Sequence, residues 1–342
     1  MTRRIALHTL ALLTVAAMLP PSGGAAASPT VSLSWVGDMA FSSSQGLPPN
    51  GGRGVFSDVR RYLTASDVST GNLEGTLGHG GPGKCKGNCF AFQAPASYAG
   101  VFHRAGFGLL NFANNHSHDY GQPGINSTLS ALKGAGVKHT GLRGEVTIQT
   151  VRGVKMAFVG FAPYGWTSPL LDIPAARKIV QGASKRADVV VVFIHAGAEG
   201  SGATHTPHGS EHAFGENRGA PRAFAHAVVD SGADAVLGSG PHVLRGMECY
   251  RHAIVAYSLG NFAAWRTLST SGVLGLSGVL QIRIGKDGRF GGGRLWPVKL
   301  ASPGLPRRDG SGASIRLVRS LSKSDFGRRA CPISHTGTIK PR

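Results

Sequence analysis

Short, almost uninterrupted apolar segments alternate along this chain with segments of helical periodicity. Residues 188–195 and 155–162 are nearly continuous apolar runs, whereas 175–186 and 222–232 repeat apolar residues at helical spacing. Strands that are apolar on both faces are normally buried under helices, so the pattern predicts an α/β protein with covered sheets. The predicted strands are 31–36, 67–71, 107–112, 155–162, 188–195, 233–238, 253–260, 278–284 and 294–300, and the predicted helices are 55–63, 125–135, 175–186 and 222–232.

The two ends of the chain depart from this pattern. Residues 1–27 combine a basic start, a short apolar stretch and a final A-A-A, which predicts a cleaved secretory signal peptide. The apolar stretch is shorter than the roughly 20 residues of a membrane span, and a retained anchor is the alternative. We expect one domain over 28–301, followed by a tail over 302–342 that is irregular until a helical pattern begins near 314. The mature protein is therefore expected to be secreted or held in the cell envelope.

The chain has four cysteines, and export would expose them to an oxidising compartment. Cys85 and Cys89 share one loop, whereas Cys249 and Cys331 are far apart in sequence. Of the three possible pairings, Cys85–Cys89 with Cys249–Cys331 is the most economical, and it would tie the tail to the domain. Half of a zinc knuckle is the alternative for the first pair, but no second C-x-x-C or H-x-x-H motif lies nearby.

The net charge is +19, and loss of Arg3 and Arg4 with the signal peptide leaves +17. Such a charge attracts anionic polymers and surfaces. No block of Lys and Arg with interleaved aromatic residues is present, which disfavours nucleic acid as the partner. An acidic polypeptide, a teichoic acid or the anionic surface of a membrane fits an exported protein better. A basic surface that merely reflects a genomic preference for Arg is the alternative.

Side chains that bind metals recur at the carboxyl ends of the predicted strands. Ligands of α/β sheets bind at those ends, so we expect these side chains to converge on one cleft. A mixture of carboxylate, amide and imidazole groups suits Zn²⁺, Mn²⁺ or Fe²⁺, as one or two ions, better than Ca²⁺. Such ions bind oxyanions and lower the pKa of a bound water. The candidate residues are Asp38, Asn72, Glu74, Asn115, His116, His195 and His242.

The ordered motifs G-D-M, G-N-L-E-G-T-L, A-N-N-H-S-H-D-Y-G, F-I-H-A-G-A-E, G-P-H-V-L-R-G and Y-S-L-G-N-F, between about 31 and 284, carry a family resemblance. The chain resembles the poly-gamma-glutamate capsule biosynthesis (CapA) family of the metallophosphatase, or calcineurin-like, superfamily. The resemblance implies a four-layer α/β/β/α sandwich with a metal site at one edge of two sheets. It also implies a poly-gamma-glutamate-like polymer as the ligand, other capsule-synthesis proteins as partners, and a metallophosphoesterase-like hydrolase if the site is active. The alternative is a non-catalytic component of polymer synthesis, export or binding with a degenerate metal site.

The resemblance assigns further roles residue by residue. Asp38 matches the first metal-ligand aspartate, and Asn115, His195 and His242 match later ligands; Glu74, with Asn72 as its rival, falls where a bridging ligand is expected.

The same resemblance implies that His116 contacts the substrate or donates a proton, with Asp119 as the partner of its Nδ1. Glu199 and Asn261 are the substrate-binding candidates.

The pattern also departs from the family. Ser239 and Gly240 stand where many relatives carry a histidine, and Ala40 stands where typical phosphatases have another. A missing imidazole would weaken one metal position and leaves catalysis open. An insertion over 203–214 offers replacements, or is simply an exposed polar loop; its histidines are His205, His208 and His212.

Overall fold

The computed structural model describes residues 29–85 and 90–342. The predicted signal peptide and Cys89, with its predicted bond to Cys85, lie outside these ranges. No helix found in them is long and apolar enough to cross a membrane.

Strands make up most of the regular structure. In chain order they are β1 (Thr30–Met39), β2 (Val68–Leu73), β3 (Thr76–Leu77), β4 (Gln93–Ala94), β5 (Leu109–Asn111), β6 (Lys138–Thr140), β7 (Thr147–Val151), β8 (Val154–Ala162), β9 (Ser168–Pro169), β10 (Val189–His195), β11 (His212–Ala213), β12 (Glu216–Asn217), β13 (Ala235–Ser239), β14 (Met247–Tyr250), β15 (Ala253–Ala256), β16 (Asn261–Ala263), β17 (Leu276–Gly285), β18 (Phe290–Ala301), β19 (Leu305–Arg308) and β20 (Thr338–Ile339).

The α-helices fall mainly between strands, as the alternating pattern predicted. They are α1 (Arg60–Leu63), α2 (Tyr98–Ala105), α3 (Gly121–Gly134), α4 (Ile173–Ser184), α5 (Pro221–Val229) and α6 (Ala313–Phe326). Short 3₁₀ turns occur at Ser43–Gln45, Asn50–Gly52, Gly272–Gly275 and Gly327–Arg329.

Two mixed sheets form the centre of the molecule. The first has the strand order β19-β18-β17-β1-β2-β5-β6, with β16 paired to β1 and β20 to β18. The second has the order β14-β15-β13-β10-β8-β7, with β9 paired to β8. The strands β1, β2, β5 and β6 run parallel, as do β8, β10, β13 and β15, so each sheet collects several carboxyl ends at one edge.

The two sheets pack face to face over an apolar core. Trp35 of the first sheet stacks on Phe193 of the second, with ring centroids 4.6 Å apart, and Phe158 packs beside Phe193. The indole Nε1 of Trp35 donates a hydrogen bond to the Gly238 carbonyl, 3.1 Å away. Burying one such aromatic side chain contributes roughly 1.5–3 kcal/mol, so this layer holds the two strand edges in register.

Helices cover the outer face of each sheet. Residues of α1, α2 and α3 form one buried cluster with the first sheet, and residues of α4 and α5 form another with the second. The order helix, sheet, sheet, helix confirms the predicted four-layer α/β/β/α sandwich.

The tail is more regular than its sequence indicated. Strand β19 pairs with β18 within 302–314, and β20 also pairs with β18. Proline in β19 is compatible with an edge strand, where one side needs no backbone donor. Helix α6 packs on β14 and β18, and a disulfide joins Cys249 of β14 to Cys331. This bond is the predicted long-range pair.

Candidate metal centre

Strand register brings the predicted ligand residues to one edge of the two sheets. In the first sheet Asp38 pairs with Asn72 of β2 and with Asn261 of β16. In the second sheet His195 is the last residue of β10 and pairs with Ser239 of β13. Parallel pairing therefore places polar residues from distant parts of the sequence side by side.

Asp38, Glu74 and His242 form the closest cluster of ligand-type groups at this edge. One ligand atom from each lies within 4.8 Å of the other two. His242 Nδ1 is 3.2 Å from Asp38 Oδ2, and His242 Nε2 is 3.7 Å from Glu74 Oε1. Both carboxylates are completely buried. Such spacing allows all three side chains to hold one cation after small adjustments.

His195 presents a ring nitrogen to the same cluster. Its Nδ1 lies 3.2 Å from Ser239 Oγ, whose hydroxyl donates to the Ile194 carbonyl, and 3.4 Å from Asn72 Nδ2. The other ring nitrogen, Nε2, is directed to Glu74. It lies 3.9 Å from Glu74 Oε1 and, within the described chain, has no hydrogen-bond partner.

Buried oxygens without hydrogen-bond partners complete the donor set. Among the described residues, both carboxylate oxygens of Glu74 and Oδ1 of Asn115 are buried and unpaired. Leaving a buried polar atom unpaired costs about 1–3 kcal/mol, more when it is charged. Carboxylate and amide oxygens together with an imidazole nitrogen match the preferences of Zn²⁺, Mn²⁺ or Fe²⁺. The residues present therefore fit a divalent metal.

Asn72, the predicted rival of Glu74, has its amide engaged in hydrogen bonds. Its Nδ2 donates to Asp38 Oδ1 at 2.8 Å. Its Oδ1 accepts from Asn111 at 2.9 Å and from Asn114 at 3.2 Å. These contacts orient Asp38 and leave Glu74 as the residue with open oxygens. Asn111 and Asn114 were not singled out in the sequence, because an Asn near a strand end is common in turns.

His116 lies beside the cluster and is oriented by Asp119. Its Nδ1 is 2.7 Å from Asp119 Oδ2, and its Nε2 is 3.9 Å from Glu74 Oε1. Asp119 also pairs with Lys84, whose Nζ is 2.6 Å from Oδ1. Burial lowers the pKa of His116 despite the opposing effect of Asp119, which favours a neutral ring. Lys84 was missed because nothing in its own loop points to the site.

Charge is balanced within the cluster. Burial, reinforced by the charge of Asp38, raises the pKa of Glu74 well above its usual range. Burial disfavours protonated His242, but the charges of Glu74 and Asp38 outweigh it and raise its pKa to about 10. Burial also opposes ionisation of Asp38, yet bonding to His242 lowers its pKa. Burial lowers the pKa of His195 to about 3, so that ring is neutral. A cation bound here competes with the proton of His242.

Ser239 and Gly240, where the family resemblance implies a histidine, have other roles in this structure. Gly240 has φ +109°, and a Cβ built there would lie 3.2 Å from the His195 ring. The Gly240 amide instead donates to Asp38 Oδ2 at 3.2 Å. His242, two residues on, adopts φ +60°, a strained conformation that functional sites often retain. Ser239 supports His195 rather than supplying a ligand.

A cavity of about 770 Å³ opens onto the cluster. Asn115, His116 and His242 form part of its wall, which also contains aromatic side chains, among them Phe92 and Trp166. The two substrate-binding candidates, described next, line it as well.

Both substrate-binding candidates are already paired. Glu199 Oε1 is 2.8 Å from Arg218 Nη1, and Glu199 Oε2 is 3.7 Å from His242 Nε2. Asn261 Oδ1 is 2.9 Å from His242 Nδ1, and its Nδ2 donates to the Ser269 carbonyl. Arg218 was not anticipated, since no sequence pattern marks it. These pairs position His242, and substrate contact stays a prediction.

The histidines of the insertion point elsewhere. His205 pairs with Asp325 at 2.7 Å, and His208 contacts Arg222 at 2.7 Å. His212 lies exposed on β11. In the part of the chain that the structure describes, none of the three lines the cavity. The insertion thus packs against the rest of the domain.

The fold and the clustered ligand groups define an α/β protein with a candidate divalent-metal centre between two sheets. The family model described as "Bacterial capsule synthesis protein PGA_cap" matches residues 32–265. The chain belongs to this family, and the resemblance drawn from its motifs is confirmed.

Several curated proteins are similar to the chain. It is 28% identical to "PGA biosynthesis protein CapA" of Bacillus subtilis (strain 168), covering 91% of this chain and 85% of that one. It is 32% identical to "Capsule biosynthesis protein CapA" of Bacillus anthracis, covering 61% of this chain but 53% of the relative. A "Probable polyglutamine synthesis accessory protein" of Mycobacterium tuberculosis is 28% identical, with 58% and 56% covered.

Similarity to solved structures is more distant. NAD nucleotidase of Haemophilus influenzae superposes with a TM-score of 0.45 at 12% identity, covering 87% of this chain and 56% of that one. A 5'-nucleotidase precursor from Thermus thermophilus also has a TM-score of 0.45, at 14% identity, covering 86% and 59%. The chain spans less than two thirds of either nucleotidase.

Proposed function

We propose that the protein is an exported, divalent-metal-dependent hydrolase of an anionic envelope polymer of the poly-gamma-glutamate type. The observation that carries the proposal is the set of buried, unpaired donor atoms on Glu74, His195 and Asn115 beside Asp38 and His242. A stable fold retains such atoms at a functional site, where a ligand satisfies them.

Asp38, Glu74, Asn115, His195 and His242 are the residues that would hold the metal. When bound, one or two ions of Mn, Zn or Fe supply Lewis acidity and lower the pKa of a coordinated water.

His116 is proposed to move the proton. With Nδ1 held by Asp119, the neutral ring presents Nε2 to the cavity and can accept a proton from the attacking water. The water oxygen bonds to the amide carbon, the C–N bond breaks, and His116 returns the proton to the leaving nitrogen. Asp119, fixed further by the Phe92 amide and Lys84, keeps the ring in the required tautomer.

Two other observations support export and the choice of polymer. The Cys249–Cys331 disulfide is typical of an oxidising compartment, in keeping with the predicted signal peptide. The printed names of the relatives refer to capsule, poly-gamma-glutamate or polyglutamine synthesis, which supports such a polymer as substrate and the synthesis proteins as partners.

The test is to incubate poly-gamma-glutamate with the mature chain and Mn²⁺, Zn²⁺ or Fe²⁺ and to measure the free amino groups that hydrolysis releases. A chromogenic phosphodiester serves as the alternative substrate. His116→Ala should abolish release while the chain stays folded. His118→Ala is the matched control, since His118 lies in the same loop but stacks on Trp166. Equal turnover in both variants would refute the role of His116.

A second candidate is a non-catalytic component that binds the polymer. It is favoured by one observation: Ser239 and Gly240 supply no imidazole, so the donor set is sparser than the family resemblance implies. Metal binding and salt-sensitive polymer binding, with no turnover of either substrate, would establish this candidate instead.

A further inference from the structure

Basic residues are concentrated at the C-terminal end of the chain. Residues 307–342 contain nine Lys and Arg and two Asp, a net charge of +7 over 36 positions. The preceding 28–306 contain 25 basic and 15 acidic residues, a net charge of +10 over a segment almost eight times as long. The density of positive charge along the sequence is therefore higher in the segment that contains α6 and the final strand than in the chain before it.

Helix α6 presents these charges along one side. Arg316, Arg319 and Lys323 follow each other at helical spacing, so they form a row about 10 Å long. All three are exposed. Together with Arg342 they line a groove of about 480 Å³. The row is repeated positive charge on a concave surface, which suits a linear anion.

Carboxylates do not neutralise the groove. No acidic residue is among its lining residues in the described chain, and no ion pair to Arg316, Arg319, Lys323 or Arg342 is present there. Asp309 accepts from the Ala313 amide at the start of α6. Arg316 and Arg342 each donate one hydrogen bond to a backbone carbonyl, but no carboxylate neutralises their charge. The four side chains thus offer their charge and their other N–H groups to a ligand.

Asp325, the other acidic residue of this segment, is bound to His205 and to the Thr206 amide. Because its oxygens are directed to the insertion, it does not offset the charge of the groove.

The groove lacks what a bilayer would need. The exposed large apolar side chains of the described ranges are Phe90, Leu171 and Phe214, and none of them lines it. Surface helices that bind membranes insert apolar residues beside their basic ones. A flexible polyanion needs only repeated charge, so the surface favours a soluble polymer over a lipid bilayer.

We propose that this groove is a second binding site for a linear polycarboxylate such as poly-gamma-glutamate. The inference rests on the proposed function for the identity of the polymer. The groove shares no lining residue with the cavity at the metal cluster. A chain held in the groove raises the local concentration of its other segments, including those that enter the cavity.

The test measures binding of fluorescently labelled poly-gamma-glutamate to the mature protein over a series of salt concentrations. Arg316→Glu/Arg319→Glu/Lys323→Glu is compared with Lys178→Glu/Lys185→Glu/Arg186→Glu, which makes the same charge change on exposed positions in and just after α4. We expect the groove variant to lose roughly 10-fold or more in affinity and to show a shallower salt dependence, with less than about 3-fold loss in the control. Equal losses, or no loss in either variant, would overturn the proposal.

Two additions keep the result interpretable. Arg316→Gln/Lys323→Gln removes charge without reversing it, and should give an intermediate loss even if the triple variant is poorly folded. The same comparison in a Glu74→Gln background separates the two proposals, since groove binding should persist when the metal site is disabled. Binding of wild type to phosphatidylglycerol vesicles but not to the polymer would overturn the choice of a polycarboxylate.

Discussion

His242 and Arg245 are three residues apart in sequence, and each belongs to a buried cluster of charged side chains. The two clusters differ in whether their polar atoms have hydrogen-bond partners. Arg245 is fully buried and forms two bonds to Glu211, at 2.9 and 2.6 Å, with a third from Nε to the Ala203 carbonyl at 2.8 Å. In the cluster around His242, Glu74 approaches only ring nitrogens, at 3.7–3.9 Å.

The difference separates a structural pair from a candidate binding site. Arg245 and Glu211 anchor the insertion and the loop after His195, because Glu211 also accepts from the Ala198 amide. Gly197 must pass close to the guanidinium, since a Cβ there would lie 2.7 Å from Nη1. Glu74 has equal burial but no comparable partner. Unpaired carboxylate oxygens, rather than burial or charge, distinguish the candidate site from the structural pair.

The largest expected loss of stability follows from a substitution in the Arg245–Glu211 pair. Glu211→Gln leaves the Arg245 charge buried without its carboxylate, and should lower the free energy of unfolding by about 3–5 kcal/mol. Urea unfolding measures the change. The double variant Glu211→Leu/Arg245→Met is the control, and it should lose less than the single variant. A larger loss in the double variant would show that the pair stabilises by more than mutual neutralisation.

Loss of the Cys249–Cys331 disulfide should have the next-largest effect on stability. The bond spans a sequence separation of 82, and closing a loop of that size stabilises by about 4.5 kcal/mol. Cys249→Ser/Cys331→Ser should lower the melting temperature by a corresponding amount. Reductant should shift the wild type toward the variant and leave the variant little changed; a large shift in the variant would place the effect elsewhere.

Glu74→Gln, unlike the two changes above, should not lower the stability of the metal-free protein. Removing a buried carboxylate with unpaired oxygens should leave the stability of the metal-free chain unchanged or slightly higher. Metal affinity should fall by roughly 100-fold or more, beyond the usual effect of a residue that only supports a ligand. Titration calorimetry with Mn²⁺ or Zn²⁺ checks this. Marked destabilisation with metal affinity retained would assign Glu74 a structural role.

The smallest expected effect is the contribution of Asp234 to the pH dependence of stability. Burial raises the pKa of Asp234 to about 6, although bonds from the Val190 amide and His252 oppose it. The folded state therefore holds this proton more tightly than the unfolded state, whose pKa is near 3.8. Stability should fall by roughly 2 kcal/mol as the pH rises from about 4 to about 6. Asp234→Asn should remove this slope from denaturation curves; an unchanged slope would exclude Asp234 as its source.

Much of the site was predictable because the carboxyl ends of parallel strands meet at the same edge of a sheet. Asp38, Glu74, Asn115, His195 and His242 each follow or end an apolar run, and parallel pairing brings them together. Their assignment as ligands stays a prediction until metal is measured.

The supporting contacts were not predictable. Arg245 pairs with Glu211 of the insertion, and Arg218 pairs with Glu199 from beyond it; no local pattern encodes either contact. Sequence also predicted helix over 55–63, whereas the helix is Arg60–Leu63 and the preceding residues form turns. Apolar spacing there reflects Phe56 and Val59 packing inward, which turns achieve as well as a helix.

Metal content per purified chain tests the central claim most directly. After loading with Mn²⁺, Zn²⁺ or Fe²⁺ and gel filtration, mass spectrometry of the wild type should find about one or two equivalents of at least one ion, and Glu74→Gln should retain about a tenth of that or less. A wild type that retains none of the three ions, or a variant that retains as much as the wild type, would contradict the account.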